Sequence, residues 1–420
     1  MHPIDEAGEP PGLRPTSAGE RIATVDVLRG LAVLGILLVN VELFRGGDVY
    51  ALLAGRPVDH EGVDATVQFA VGWLAYGKFL SAFALLFGLG AAMMSRRAVA
   101  DPAGGLGRGL LARRYAVLAV LGVAHMVLLF SGDILLLYAL AGLVLLAFVG
   151  LRPGVLAAWA AGIGVTFSVL LVGLVGLVEL ALGELDEAAT ADPGLIERVE
   201  AIERAFTTGG LVEQTVARAG EALWLQPSQL MLLPWVLALF LTGLAAGRAG
   251  LHRRLDEPWV GRLAAVVVPV GLLVNLPIGL LGPAGLAVAA SDEQVGVATV
   301  VAGTGAYLLG APLLSIGYLA TAAWLCRSAR VRALLLPVRR LGRMALTGYL
   351  LQSLLATGFF VWLGFYGRLG PAASMLVVLA IWVLIATFAS AWLARFDKGP
   401  VEWAWRRLSY GRRAAPVRGG

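Results

Sequence analysis

Apolar residues in this chain come in long unbroken runs rather than at alternating positions. A helix needs about 20 such residues to cross about 30 Å of hydrocarbon. Ten stretches qualify, at 24–44, 73–95, 112–131, 133–150, 154–182, 228–249, 262–282, 296–326, 344–366 and 371–395. The pattern predicts an all-α, polytopic transmembrane bundle of about ten spans with both termini cytoplasmic. The stretches at 154–182 and 296–326 exceed the membrane thickness and are expected to tilt or project beyond it.

The remaining segments give the organisation. Residues 1–20 hold Asp5, Glu6, Glu9, Pro10, Pro11 and Pro15 without the apolar core of a signal peptide, so they read as a disordered cytoplasmic tail. The first five spans occupy 21–182 and the last five 228–398, separated by an acidic external loop at 183–227 long enough for one or two short helices. That loop is either a solvated connection or a lid over an outward-facing cavity. Residues 399–420 open with Gly399-Pro400 and carry Val401, Trp405 and Leu408 at helical spacing beside Arg406 and Arg407, the pattern of a cytoplasmic interfacial helix and tail. Within it Glu402 and Arg406, four apart, are expected to pair on the surface. No internal repeat is evident.

Composition agrees with a membrane solvent. Of 420 residues, 59% are hydrophobic and 15% charged, and the mean hydropathy is +0.81. Soluble domains carry about a quarter charged residues, so this chain cannot cover itself in water, and a soluble enzyme is excluded. The single cysteine, Cys326, leaves neither an internal disulfide nor a zinc cluster.

The net charge of +5 matters less for nucleic acid, which is not an expected partner, than for topology. With ten spans and the amino terminus inside, 26 of the 33 basic residues fall on the cytoplasmic side. That asymmetry is the positive-inside rule, and it sets the orientation of the chain in a membrane with the lipid bilayer as its partner.

Polar side chains at membrane depth are costly, about 2.5–3.5 kcal/mol for a charge at a helix centre, so each needs a partner or a use. Asp26 and Arg29, in DVLRG, lie three apart on one helix face. They form either a self-satisfied ion pair or an anion site built on the planar Arg29 fork. Asn40 follows about 16 Å higher by helix rise and is either interhelical glue or a substrate contact. Lys78 either snorkels or shares the outer polar layer. Gln352, near Thr347 and Tyr349, is helix glue or a substrate contact.

His125 alone of four histidines sits within a span, six residues before Ser131 and so about 9 Å beneath the outer face. Asp133 begins the next span after a Ser131-Gly132 turn too short for anything but antiparallel neighbours. The bland reading of His125 is a hydrogen-bonded core histidine. The chemical reading is a general base, its tautomer fixed by Asp133, because imidazole exchanges protons near neutrality. That reading requires the two side chains to meet in a wet pocket below the outer rim.

Motifs narrow the chemistry further. The chain has no GxxxxGK[ST] phosphate cradle, no HExxH zinc helix and no GxSxG nucleophile elbow. What remains is chemistry needing one proton shuttle and a bound donor, or no chemistry.

RIATVDVLRGLAVLGILLVN at 21–40, GKFLSAFALLFGLG at 77–90, GVAHMVLLFSGDILLLYAL at 122–140, GRMALTGYLLQS and GPVEWAWRRLSYG together resemble the YeiB-like bacterial membrane proteins, also called the domain of unknown function 418 family. The resemblance runs from about residue 20 to 411; DVLRG alone is shared more widely. Gly348 departs from the pattern, which favours asparagine before the tyrosine.

The resemblance implies a more distant relation to the transmembrane acyltransferases, which move an acyl group from a cytoplasmic thioester to an acceptor on or across the membrane and for which an intramembrane histidine is usually proposed as catalytic. Arg29 matches the first-span arginine and His125 is the candidate histidine. On this reading no cofactor is permanently bound, acyl-CoA is the candidate donor, and a glycan or lipid is the acceptor. The residues expected to take part are His125 and Asp133 in catalysis, and Arg29, Asn40, Lys78, Ser131 and Gln352 in binding. An extended donor would have to thread from Arg29 to His125. The same polar residues equally suit a transporter or exporter of a small or amphipathic molecule, or a structural or signalling protein whose contact surface is the acidic loop.

Overall fold

The structure, a computed structural model, describes residues 23–54, 56, 58–99, 105–183, 193–281 and 297–410. The tails expected at 1–20 and beyond 410 lie outside them. No strand occurs among the described residues. In chain order the helices are α1 (Ala23–Phe44), α2 (Asp48–Leu53), α3 (Gly62–Leu74), α4 (Lys78–Val99), α5 (Gly105–Leu128), α6 (Leu135–Leu145), α7 (Pro153–Gly183), α8 (Pro193–Thr208) and α9 (Leu211–Met231). There follow α10 (Leu233–Arg248), α11 (Pro258–Val274), α12 (Val297–Gly305), α13 (Ala311–Leu325), α14 (Ala329–Leu334), α15 (Leu336–Arg343), α16 (Ala345–Thr357), α17 (Pro371–Leu393) and α18 (Pro400–Tyr410). Two π-helical turns, Ala306–Gly310 and Gly358–Trp362, join α12 to α13 and prolong α16.

The all-helical membrane class holds, while the ten expected stretches do not all form a full-length helix. Among the described residues seven helical segments are long and apolar enough to cross a bilayer, and an eighth qualifies if α9 and α10, bent by 56°, count as one. The stretch expected at 133–150 yields only the 11-residue α6, because i to i+3 bonds at Leu146, Ala147 and Phe148 tighten its end ahead of Gly150. The stretch expected at 262–282 is interrupted at Asn275, because Pro277 has no N–H to give the Leu273 carbonyl and its ring crowds that turn.

The 183–227 segment is not a simple loop. From Leu211 it forms α9, which runs past residue 227 to Met231 before the chain bends into α10 at Pro234. The polarity of α9 is inverted. Leu223 is 80% exposed and Val212 77%, while Gln214, Arg218, Glu221 and Gln226 are buried. A helix that turns apolar residues outward and charges inward suits lipid rather than water as its outer solvent.

Close packing relies on small residues, as expected where lipid removes the hydrophobic drive between helices. Where α4 crosses α10, a side-chain carbon on Gly88 would fall on the Phe240 carbonyl, and one on Gly243 on the Leu85 carbonyl. Outside this core α7 presents Val165, Leu170, Leu174 and Leu177 outward.

Charge divides the ends of the bundle. At one end α15 packs on the start of α1, and α18 clasps α5, with the Arg114 guanidinium 4.1 Å from the Trp405 ring centre and Trp405 Nε1 donating to the Arg114 carbonyl at 2.9 Å. At the other end α2 meets α8 around Tyr50, Val199, Phe206 and Tyr366. There Glu42, Arg45 and Asp48 form a buried ionic knot, with Arg45 Nη2 2.7 Å from Glu42 and 2.8 Å from Asp48. We call these the arginine-rich and acidic ends.

Candidate functional site

The last turn of α5 and the first of α6 carry the site. Leu129 and Phe130 donate their backbone N–H groups to the His125 carbonyl, closing α5, and the chain reverses through Ser131 and Gly132. Gly122 makes this hairpin tight: a side-chain carbon there would lie 2.7 Å from the Leu136 nitrogen and 3.0 Å from Asp133 Oδ2.

Reversal brings His125 and Asp133 into contact. His125 Nδ1 lies 2.8 Å from Asp133 Oδ1, with the two side chains 1% and 0% exposed. Asp133 Oδ2 accepts the N–H groups of Leu135 at 2.8 Å and Leu136 at 3.2 Å, so the carboxylate sits at the positive end of α6. The Tyr349 hydroxyl donates to Oδ1 at 3.2 Å from α16. Three donors, the Leu135 and Leu136 N–H groups and the Tyr349 hydroxyl, converge on one carboxylate, which suits an acceptor-only group that takes its fourth bond from the imidazole. Nδ1 of the imidazole is therefore the N–H nitrogen and Nε2 carries the free lone pair. That Nε2 is buried and has no hydrogen-bond partner. The imidazole ring centre is 5.1 Å from that of Tyr349 and 6.3 Å from that of Phe130.

Contrary to the wet pocket expected around the pair, the two cavities found near the hairpin are lined by other residues. A cavity of about 20 Å³ is lined by Phe130 and Ser131 of the hairpin, Thr357 of α16, Tyr50 of α2, and Arg218 and Glu221 of α9. Tyr366 also lines it and is shared with an open groove of about 450 Å³ at the acidic end, flanked by Arg56, Glu203 and Arg204. Neither volume is lined by His125 or Asp133 themselves.

Of the other residues singled out from the sequence, only Ser131 is brought to this region, where it is buried. Arg29 is at the arginine-rich end, 3.5 Å from Asp26 and 30% exposed, reaching toward Gly90 of α4. Asn40 is half-buried on α1 and shares no hydrogen bond with the histidine pair. Lys78 neither snorkels nor joins the pair. Its side chain is buried and Nζ donates to the Gly72 carbonyl at 2.9 Å, because the Gly77 turn folds the start of α4 under α3. Gln352 donates to the Val33 carbonyl at 3.1 Å, gluing α16 to α1.

Tyr349, Tyr50, Arg218, Glu221, Thr357 and Tyr366 were not legible as site residues. Arg218 and Glu221 carried a usable signal: with Gln214 they fall at intervals of four and three, one face of a helix. Thr357 Oγ1 donates to the Leu129 carbonyl at 2.8 Å and Arg218 Nη1 to the Leu128 carbonyl at 3.2 Å, satisfying the open end of α5.

At the arginine-rich end Glu402 is turned inward rather than along the surface. Its Oε1 accepts the Thr347 N–H at 3.0 Å and its Oε2 the Thr347 hydroxyl at 2.5 Å, which ties α18 to the first turn of α16. Burial pushes the Glu402 carboxyl above the usual carboxylate range, and its bonds to Thr347 pull the other way.

The fold and the buried pair define a multi-pass helical membrane protein with a polar hairpin embedded near its acidic end. Residues 246–412 match the family model described as "Protein of unknown function (DUF418)". The chain is 32% identical to the Escherichia coli (strain K12) protein YeiB over 95% of its own length and 98% of that protein's. It is 30% identical to YxaH of Bacillus subtilis (strain 168), covering 95% and 96% respectively. A third relative, a 39.9 kDa protein from the amylase 3' region of Bacillus acidopullulyticus, is 26% identical over 95% of this chain and 96% of its own. No solved structure matches the chain. The protein belongs to the YeiB-like DUF418 family.

Proposed function

We propose that this protein is an acyltransferase of the bacterial cytoplasmic membrane, moving an acyl group from a cytoplasmic thioester, with acyl-CoA the candidate donor, to a hydroxyl-bearing glycan or lipid acceptor that enters from the acidic, extracytoplasmic end. The observation that carries the reading is the bare His125 Nε2 on an imidazole whose other nitrogen is held by Asp133. A base fixed in this way takes the proton of an acceptor hydroxyl as the oxygen attacks the thioester carbonyl. Collapse of the tetrahedral intermediate breaks the C–S bond, and the imidazolium returns the proton to the leaving thiolate. Asp133 holds the tautomer and balances the transient cation, and Tyr349 fixes the carboxylate. The arginine-rich end, with Arg29, suits the anionic part of the donor, whose long arm would thread the bundle to the histidine. Segregation of 26 of 33 basic residues supports the orientation.

The test uses purified protein in lipid, labelled acyl-CoA and a panel of membrane glycans and lipids. Transfer by the wild type that is lost in His125→Ala, with unfolding temperature unchanged, supports the assignment. Absence of transfer from every donor and acceptor class overturns it.

A second reading, transport of a small or amphipathic molecule, is favoured by one observation: the inward face of α9 carries unpartnered polar atoms on Gln214, Arg218, Gln226 and Gln229. Movement of solute into sealed vesicles without a covalent product selects this reading over acyl transfer.

A further inference from the structure

We propose that the cavity bounded by Arg218, Glu221, Ser131 and Tyr366 is a binding site for a single hydroxyl of a polyhydroxylated, uncharged ligand whose body occupies the adjoining groove at the acidic end. The proposal extends the acyl-transfer reading and rests on it only for the role of that ligand as acceptor; the binding site itself stands on the following geometry.

Arg218 and Glu221 lie one helical turn apart on the buried face of α9, at 4% and 1% exposure, and both line the cavity. Side chains so placed ordinarily close into an ion pair. Here they do not: the Glu221 carboxylate takes the hydroxyl of Tyr50, and Arg218 spends Nη1 on the Leu128 carbonyl. Nη2 of Arg218 is left buried without a partner, and so is the hydroxyl of Tyr366 on the opposite wall.

The cavity thus presents an unused donor from Arg218, an acceptor with capacity to spare on Glu221, and a tyrosine hydroxyl able to do either. An anion would receive the donors but be repelled by Glu221, and a cation the reverse. A hydroxyl accepts and donates at once, so it answers both walls without a net charge. The volume, about 20 Å³, suits one oxygen-sized group rather than a whole molecule. The rest of the ligand has room in the groove of about 450 Å³, where Tyr366 is the common wall and Arg56, Glu203, Arg204 and Thr207 again mix donors with acceptors. Phe44, Phe130 and Phe206 supply apolar walls on the cavity side. Ser131 connects the site to the hairpin that carries His125.

The experiment is saturation-transfer NMR on the full chain in lipid nanodiscs, with myo-inositol as the probe and its hexa-O-methyl ether, which has no hydroxyl to donate, as the control. Wild type is expected to transfer magnetisation to myo-inositol and not to the ether. Tyr366→Phe, which deletes only the unpartnered oxygen, should weaken binding about fivefold, and Arg218→Met should abolish it. Because Arg218 also closes the end of α5, Tyr366→Phe is the decisive variant if Arg218→Met unfolds. Binding should persist in His125→Ala, and failure of the wild type to transfer any acyl group while it still binds inositol would reject the enzyme reading and leave this site standing. Equal transfer to inositol and its ether, unchanged binding in Tyr366→Phe, or no transfer to inositol by folded protein would overturn the proposal, the last marking the cavity as a water site.

Discussion

Tyr349 and Asp133, 216 positions apart in the chain, are joined by a hydrogen bond of 3.2 Å from the phenol to Oδ1. The same oxygen holds His125 Nδ1, so the tyrosine of α16 and the histidine of α5 share one carboxylate. The pair is thereby fixed by three elements rather than by its own hairpin alone.

Asp133→Asn should therefore fail twice. An amide cannot hold the imidazole in the same tautomer with equal strength, and transfer activity should fall by about 10²- to 10⁴-fold. Loss of the charged acceptor at the start of α6 should cost about 1 kcal/mol of stability. Tyr349→Phe removes one donor while keeping the ring, so it should lower activity far less. Steady-state transfer rates and thermal unfolding of the two variants side by side check this; equal losses would contradict it.

Gly243→Ala should destabilise the bundle by about 1–3 kcal/mol, the range for overpacking, because the added carbon lands on the Leu85 carbonyl of α4. Gly162→Ala on α7 is the control: nothing lies within 4 Å of the carbon it would add. Unfolding temperatures in one detergent should drop for the first and hold or rise for the second.

Glu402 gives stability a pH dependence. Burial raises its carboxyl above the unfolded value, so the folded chain keeps that proton to higher pH. The associated stability is complete below the unfolded value and is lost as pH rises through the folded one. Glu402→Gln has no proton to lose. Wild type and variant should unfold alike on the acid side of the window, with the wild type falling behind as pH rises; a gap independent of pH would exclude this.

Trp405→Ala removes both the ring over Arg114 and the indole bond to its carbonyl. The two together are worth about 1–3 kcal/mol. The variant should release α18, seen as faster protease cleavage after residue 399, with α1 to α17 otherwise intact.

Much of the architecture was readable without coordinates because lipid imposes strict demands. An unpaired backbone group is so costly in hydrocarbon that long apolar runs must be helices. Sequence also placed the spans that carry His125 and Asp133 side by side, since a turn at Ser131-Gly132 leaves them no other arrangement, while the contact of the two side chains came from the structure. It failed at α9. Arg218, Glu221 and the glutamines look like a solvated loop by composition, and only their burial shows that the polar face looks inward while Leu223 and Val212 look out. It failed at Lys78 as well, whose nearest acceptor is set by a turn at Gly77 rather than by depth in the membrane.

By itself the chain determined a helical membrane protein, the side on which its arginines gather, and a histidine–aspartate hairpin, all consequences of local spacing and of the cost of polarity in lipid. Tertiary structure decided that the imidazole is sealed from open solvent, that Tyr349 steadies its carboxylate, and that α9 brings Arg218 and Glu221 beside the hairpin. Those contacts join residues far apart in sequence. They are set by how helices pack against one another, and no local pattern of side chains encodes that.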